Sequence, residues 1–328
     1  MSRNMADSID CSDRGMVLNN PVICIVGPTA SGKSELAQQV ALRIGGEVIS
    51  ADSMQVYKGM DIGTGKVLPS ERLVQHHGLD LIEPGQPYSA ALFQDYARAC
   101  FREIDARGKR NVLCGGTGFY VRAAIDDYDF PAGEQVGNAT RSYYNERAEE
   151  MGAHGLWCLL NERDPQSAAL IPENDVKRVV RAFELLEEGT TYAAQREGLK
   201  TLGQFVDAVM VGLHVDPQVL RRRIDDRVDA MFEQGLVDEV RGLLDAGLRD
   251  GITAPQAIGY REVVSALEGE ISFDEACDQI KTATHRYAKR QRTWFRKDKR
   301  ISWIDVTCME PEDTVAAALD IVVPWSHV

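Results

Sequence analysis

The first strongly patterned stretch of the chain is "PVICIVG" (21–27), a short, wholly apolar run bounded by proline and glycine. That pattern predicts a strand buried on both faces. The period then changes. In "SELAQQVALRIG" the apolar residues Leu36, Val40 and Ile44 recur every fourth position before a Gly45-Gly46 stop, which predicts an amphipathic helix. "EVISAD" (47–52) reads as a second strand and "NVLCGG" (111–116) as a third. Between them, "AALFQDYARACFREIDARG" (90–108) is a helix with Leu92, Tyr96, Ala99, Cys100 and Ile104 as its apolar positions. Strands alternating with helices predict an α/β core, a parallel sheet flanked by helices.

After "FYVRAAIDDYDFP" (119–131) the strand pattern stops, and residues 131–200 read as helical throughout. A strand returns at "AVMVGLHV" (208–215), followed by a long charged helix from Pro217 to about Gly247. Then come "QAIGYREVVSALEG" (256–269), a helix over Phe273–Phe295, the strand "ISWIDV" (301–306) and a last helix. The expected organisation is a disordered leader (1–20), a catalytic core from 21–130 and 201–328, and a helical insertion subdomain over 131–200.

At 328 residues and 44% hydrophobic content the chain can bury a large core without cross-links. Its seven cysteines are scattered and never form C-x-x-C, so they read as buried thiols rather than metal ligands. No apolar run approaches the roughly 18 residues of a membrane span. The first 20 residues lack the order of a signal peptide, and a cytoplasmic monomer is expected. The net charge of −13 argues on average against a nucleic-acid partner. That average hides Lys281–Arg300, where nine basic residues face only Asp298, and binding follows the local field.

"GPTASGKS", comprising Gly27, Pro28, Thr29, Ala30, Ser31, Gly32, Lys33 and Ser34, satisfies G-x-x-x-x-G-K-[ST] with a strand before it and a helix after it. Backbone N–H groups, a helix N-terminus and Lys33 make such a loop an anion cradle, and the Ser34 hydroxyl can reach Mg2+. A nucleotide kinase also needs a carboxylate at the end of a neighbouring strand to hold that metal. "NVLCGGTGFY" ends in glycines and Thr117, and the nearest strand-end acid is Asp52. The loop therefore reads as gripping a diphosphate whose chemistry is not phosphoryl transfer.

The ordered motifs "GPTASGKS", "DSMQVYKGMDIGTGK", "HHGLDLIEP", "GGTGFY", "NDVKRVVRAFE", "QAIGYREV" and "YAKRQRTWFR", from about Val22 to Arg296, resemble the tRNA dimethylallyltransferase (tRNA isopentenyltransferase) family. The resemblance implies a P-loop NTPase-like fold with a mostly helical inserted subdomain. It also implies transfer of a dimethylallyl group from dimethylallyl diphosphate to N6 of adenosine 37 in tRNAs reading codons that begin with U, with Mg2+ as cofactor. By resemblance Asp52 is the general base and Thr29 a hydrogen-bonding partner near the diphosphate, with Lys33 and at least one of Arg223 and Arg227 completing the clamp. Ser53, Met54 and Gln55 would line the adenine pocket, and Thr117 would contact the tRNA. Arg141, Lys177, Arg178 and Arg181 would grip anticodon-stem phosphates. Gln256, Gly259, Tyr260, Arg261, Lys289, Arg290, Arg292 and Arg296 would meet the anticodon loop and its flanks.

More modest readings stand beside these. Asp52 and Thr117 are also good turn or helix caps, a charge run is commonly a solvated helix face, and Tyr287, Trp294 and Phe295 read equally as core anchors. His76 and His77 point to opposite sides of an extended chain and read as structural. The rival activities are prenylation of free AMP, phosphorylation of a small metabolite, and RNA binding without catalysis.

Overall fold

A computed structural model describes residues 15–130, 139–199 and 202–326. The chain divides into two compact units, one formed by residues up to 126 together with 204 onward, the other by 127–203.

In the larger unit the apolar runs form one parallel sheet. In chain order its elements are β1 (Val22–Val26), α1 (Lys33–Ile44), β2 (Gly46–Ser50), β3 (His76–His77), α2 (Ala90–Ala106), β4 (Arg110–Gly115) and α3 (Gly118–Ile125). The sheet has six strands in the order β3-β2-β4-β1-β5-β6, all paired in parallel, where β5 is Ala208–His214 and β6 is Ile301–Asp305. Every residue of β1 and β2 is buried, β1 as a continuous apolar strand and β2 with Glu47 and Ser50 among its buried positions. The strand β3 has too few residues to leave an apolar signature. It is fixed by pairing with Val48 and Ile49 and by a 2.7 Å contact between His77 Nε2 and Glu47 Oε2.

Two expectations are corrected. Residues 15–20, assigned to the disordered leader, are ordered: the Met16 N–H donates to the Phe205 carbonyl, and Asn19 donates to both carboxylate oxygens of Asp105. These partners are distant in sequence, so local composition does not reveal them. Residues 1–14 lie outside the described residues. The long charged helix is two helices, because Gly235 takes a left-handed φ of +100° between Pro217–Glu233 and Leu236–Asp245.

The smaller unit holds α4 (Ala139–Arg163, kinked at Gly152), α5 (Pro165–Ala168), α6 (Val176–Glu187) and α7 (Tyr192–Gly198). Its own core stacks Tyr144 on Phe183 at 4.0 Å, with Leu156, Leu160 and Val179 fully buried around them. After β5 the larger unit continues with the two helices just described, α8 (Pro217–Glu233) and α9 (Leu236–Asp245). These are followed by α10 (Tyr260–Leu267), α11 (Phe273–Phe295), β6 and α12 (Pro311–Val322).

Candidate active site

Strands β2, β4 and β1 are neighbours in the sheet, so the turns leaving their C-terminal ends fall side by side, where open parallel sheets bind ligands. They carry Asp52, the Gly116-Thr117 turn and the loop 27–34. The loop closes on itself: Lys33 Nζ donates to the Pro28 carbonyl at 3.2 Å. Burial pulls the Lys33 ammonium below the ordinary lysine value, opposed by Cys114 and Asp52 and reinforced by Arg227. A desolvated cation of this kind gains most from an arriving anion. Arg227, reaching in from α8, donates to Thr29 Oγ1 at 3.5 Å and to the Thr64 carbonyl at 3.3 Å. Burial lowers it too, with Asp52 acting the other way.

Two cavities meet here. A polar one of about 50 Å³ includes Ser34, Ser50, Gln55 and Cys114 in its lining. One of about 290 Å³ has an apolar wall of Met54, Ile224, Val228, Met231 and Ile280, with Ser53, Gln256, Gly259 and Tyr287 also lining it. Thr29, Lys33, Asp52, Thr64 and Arg227 border both. Asp52 therefore stands at their junction. Its Oδ1 accepts the Met54 N–H at 2.9 Å and so caps the turn, while Oδ2 has no hydrogen bond among the described residues. The capping and basic roles are compatible.

Residues 61–65 form one rim, and a residue missed in sequence fixes it. The Glu239 carboxylate accepts the N–H groups of Asp61, Ile62 and Gly63 at 3.1, 2.7 and 3.2 Å, and the Tyr260 hydroxyl at 2.6 Å. Gly65 takes a left-handed φ of +59° and leaves room for the guanidinium, since a Cβ there would lie 1.7 Å from Arg227 Nη2. A lone acid on a charged helix gives no local sign of such a role.

The other expected residues separate into groups. Arg223, one turn before Arg227, lines a different cavity of about 310 Å³ behind Ser31 and Gly32, and makes no ion pair or hydrogen bond among the described residues. Gln55 is engaged by its neighbours, accepting from Ser50 Oγ at 2.8 Å and donating to the Thr64 and Gly65 carbonyls. Thr117 occupies the N-cap position of α3 without capping it; its Oγ1 accepts the Ser53 N–H at 3.2 Å. Tyr260 is fully buried, and Arg261 is exposed and paired with Glu262.

On α11, Arg290 reaches the larger cavity and lies 5.6 Å from the Tyr287 ring. Lys289 and Arg296 are exposed and Arg292 is half-buried, none with a side-chain partner among the described residues. Phe295 is a core anchor, whereas Trp294 is 42% exposed. In the smaller unit, Arg141 and Arg181 both pair with the buried Glu184, Arg178 pairs with Asp175, and Lys177 is exposed.

The side-chain oxygens lining the polar cavity are the hydroxyls of Thr29, Ser34, Ser50 and Thr64, the Gln55 amide and one carboxylate, Asp52. No cluster of three His, Cys, Asp or Glu occurs among the described residues. That set fits Mg2+, which keeps waters and leans on phosphate oxygens, and does not fit a dedicated protein cage.

The family model described as IPP transferase matches residues 55–298, and one described as isopentenyl transferase matches 20–76. The chain is 47% identical over 292 residues to the tRNA dimethylallyltransferase of Carboxydothermus hydrogenoformans, covering 88% of this chain and 93% of that one. It is 41% identical to that of Corynebacterium jeikeium, covering 92% and 96%. Among solved structures, it resembles the tRNA isopentenylpyrophosphate transferase of Bacillus halodurans (TM-score 0.69, 38% identity, 94% and 97% covered). It also resembles a eukaryotic dimethylallyltransferase acting on tRNA (TM-score 0.75, 28% identity, 93% and 78% covered).

Proposed function

The chain belongs to the IPP transferase family, and from that premise we propose that it moves a dimethylallyl group from dimethylallyl diphosphate to N6 of adenosine 37 beside the anticodon of tRNA. It is a tRNA-modifying transferase, and the rival readings as a kinase or an enzyme of free AMP give way. No helix among the described residues is long and apolar enough to cross a membrane.

The observation that carries the chemistry is the position of Asp52, bordering both cavities with Lys33 and Arg227. The diphosphate occupies the small polar cavity, and the five-carbon chain lies against the apolar wall. The adenine, extruded from its stacked loop, enters the larger cavity. The lone pair on N6 forms the C–N bond to C1 of the dimethylallyl group as the C1–O bond breaks, and the diphosphate leaves with the electron pair. Asp52 takes the N6 proton. Lys33, Arg227 and loop N–H groups are aimed where negative charge grows, which is where preorganised donors lower a barrier most. Ile224, Val228, Met231 and Ile280 keep water from the allylic centre. Ser34 would hold Mg2+, whose contribution when bound would be further charge neutralisation on the leaving group.

Incubation with dimethylallyl diphosphate and unmodified tRNA, followed by nucleoside mass analysis, tests this reading. The expected product is N6-dimethylallyladenosine at position 37. Unmodified tRNA, or prenylation of free AMP in preference, would overturn it.

A further inference from the structure

Gln291 stands in the basic segment "KRQRTWFR", yet only 5% of it is exposed. Its side-chain amide bridges two of the turns that build the active site. Oε1 accepts the Thr29 N–H at 2.8 Å, and Nε2 donates to the Gly116 carbonyl at 3.0 Å. This pairing fixes the amide orientation, since a flipped amide would set donor against donor and acceptor against acceptor. The second glycine of "GGTG" leaves room for this amide, since a Cβ on Gly116 would lie 2.2 Å from Gln291 Nε2.

The chain of contacts continues. Thr117, the residue after Gly116, accepts the N–H of Ser53 through Oγ1 at 3.2 Å, and Ser53 is the residue after Asp52. One buried amide thus connects the loop that holds the diphosphate to the turn that carries the base. It also commits the Thr29 N–H to the protein, so that amide is withdrawn from the anion cradle and serves to shape it.

We propose that Gln291 is a positioning residue for prenyl transfer, holding the Thr29 turn and the Gly116-Thr117 turn in the register that sets the diphosphate against Asp52. This rests on the prenyl-transfer reading above. The role needs one acceptor and one donor in fixed places, which gives it a signature that packing alone does not have. In Gln291→Glu the ionised carboxylate confronts the Gly116 carbonyl with a second acceptor. The protonated acid restores both bonds, its C=O accepting from Thr29 and its O–H donating to Gly116. Burial raises the pKa of such a carboxyl. Gln291→Met keeps the volume and supplies neither bond at any pH.

The test is single-turnover prenyl transfer by the native chain and both variants across pH 6 to 8.5, with thermal melting and tRNA affinity measured alongside. At pH 8 both variants are expected to lose roughly 10- to 100-fold in rate at saturating substrates, the scale of a misplacement of about 1 Å. Their tRNA affinity stays within about threefold, the mark of an interaction made in the transition state rather than on binding. The ratio of Gln291→Glu to native rate rises as pH falls, while that of Gln291→Met stays flat. Rates like the native one, or losses in both variants with no difference in pH profile, would overturn the inference and leave the prenyl-transfer reading standing. If Gln291→Glu does not fold, native-like transfer by folded Gln291→Met overturns the inference. Absence of transfer by the native chain would overturn both.

Discussion

The two faces of α11 make an instructive contrast. Its inner face sets Ile280, Thr284, Tyr287 and Gln291 against the larger cavity, where groups are desolvated and tied to neighbours. Burial and the nearby Asp52 push the Tyr287 phenol up to about 12. Its outer face carries Lys289, Arg292 and Arg296, which have no side-chain partner among the described residues. On the proposed reading, the inner face acts by fixed geometry at the reacting bond. The outer face offers mobile, hydrated charge, the kind that attracts phosphates from a distance and releases counterions on contact. Unpartnered cations are not general in this chain, since Arg141 and Arg181 are held by Glu184.

The largest effect that can sharpen this contrast is at the junction of the cavities. Asp52→Asn is expected to slow prenyl transfer by about 10³- to 10⁴-fold, within the range of a lost general base, while tRNA affinity changes only a few-fold. Native-like turnover in that variant would remove Asp52 from the chemistry. Next, Arg227→Ala should cost about 10²-fold in rate at saturation, as for one lost transition-state donor. Arg223→Ala should stay near native, because Arg223 lines a separate cavity. The reverse ranking in steady-state kinetics would exchange their roles.

On the outer face, Lys289→Glu with Arg292→Glu should weaken tRNA binding roughly tenfold and lower the slope of log affinity against log salt by about two, one per lost phosphate contact. Transfer at saturating tRNA should persist. An unchanged slope in a salt titration would make this face merely solvated. The smallest effect concerns Lys33. Its ammonium is held below the ordinary lysine value of 10.5 by burial, and a diphosphate bound beside it would favour the charged form. Diphosphate affinity should therefore begin to fall at a lower pH than a free lysine would dictate. Calorimetric titration across the alkaline range checks this, and a decline only above 10.5 would refute it.

The sheet was legible where burial imposes a continuous apolar run, as in β1 and β4, and where Phe273–Phe295 keeps helical spacing for its whole length. The break at Gly235 was hidden because the charged pattern continues across it, and β3 because two histidines have no period. In the site, the phosphate loop and Asp52 were visible through strand-turn context. Arg223 and Arg227 were not separable, since residues four apart differ by only about 40° around a helix and about 6 Å along it. That offset is enough to send them to different cavities. Glu239 acts on amides more than 170 residues away in sequence, and no local pattern encodes it. Gln291 did leave a trace. The buried positions Ala276, Ile280, Ala288, Gln291 and Phe295 follow helical spacing, so a glutamine stands where an apolar residue is due. A polar residue on a buried stripe needs partners, and its partners are the active-site turns.

In the proposed reaction the glycine-lysine loop holds a departing diphosphate opposite Asp52. A crystal structure with a non-reactive sulfur analogue of dimethylallyl diphosphate decides whether it does. The phosphorus atoms should lie in the polar cavity between Lys33 and Arg227, with C1 turned toward Asp52 and the methyl groups against Ile224 and Met231. Phosphates found beside Arg223, or anywhere out of reach of both Lys33 and Asp52, would contradict the account.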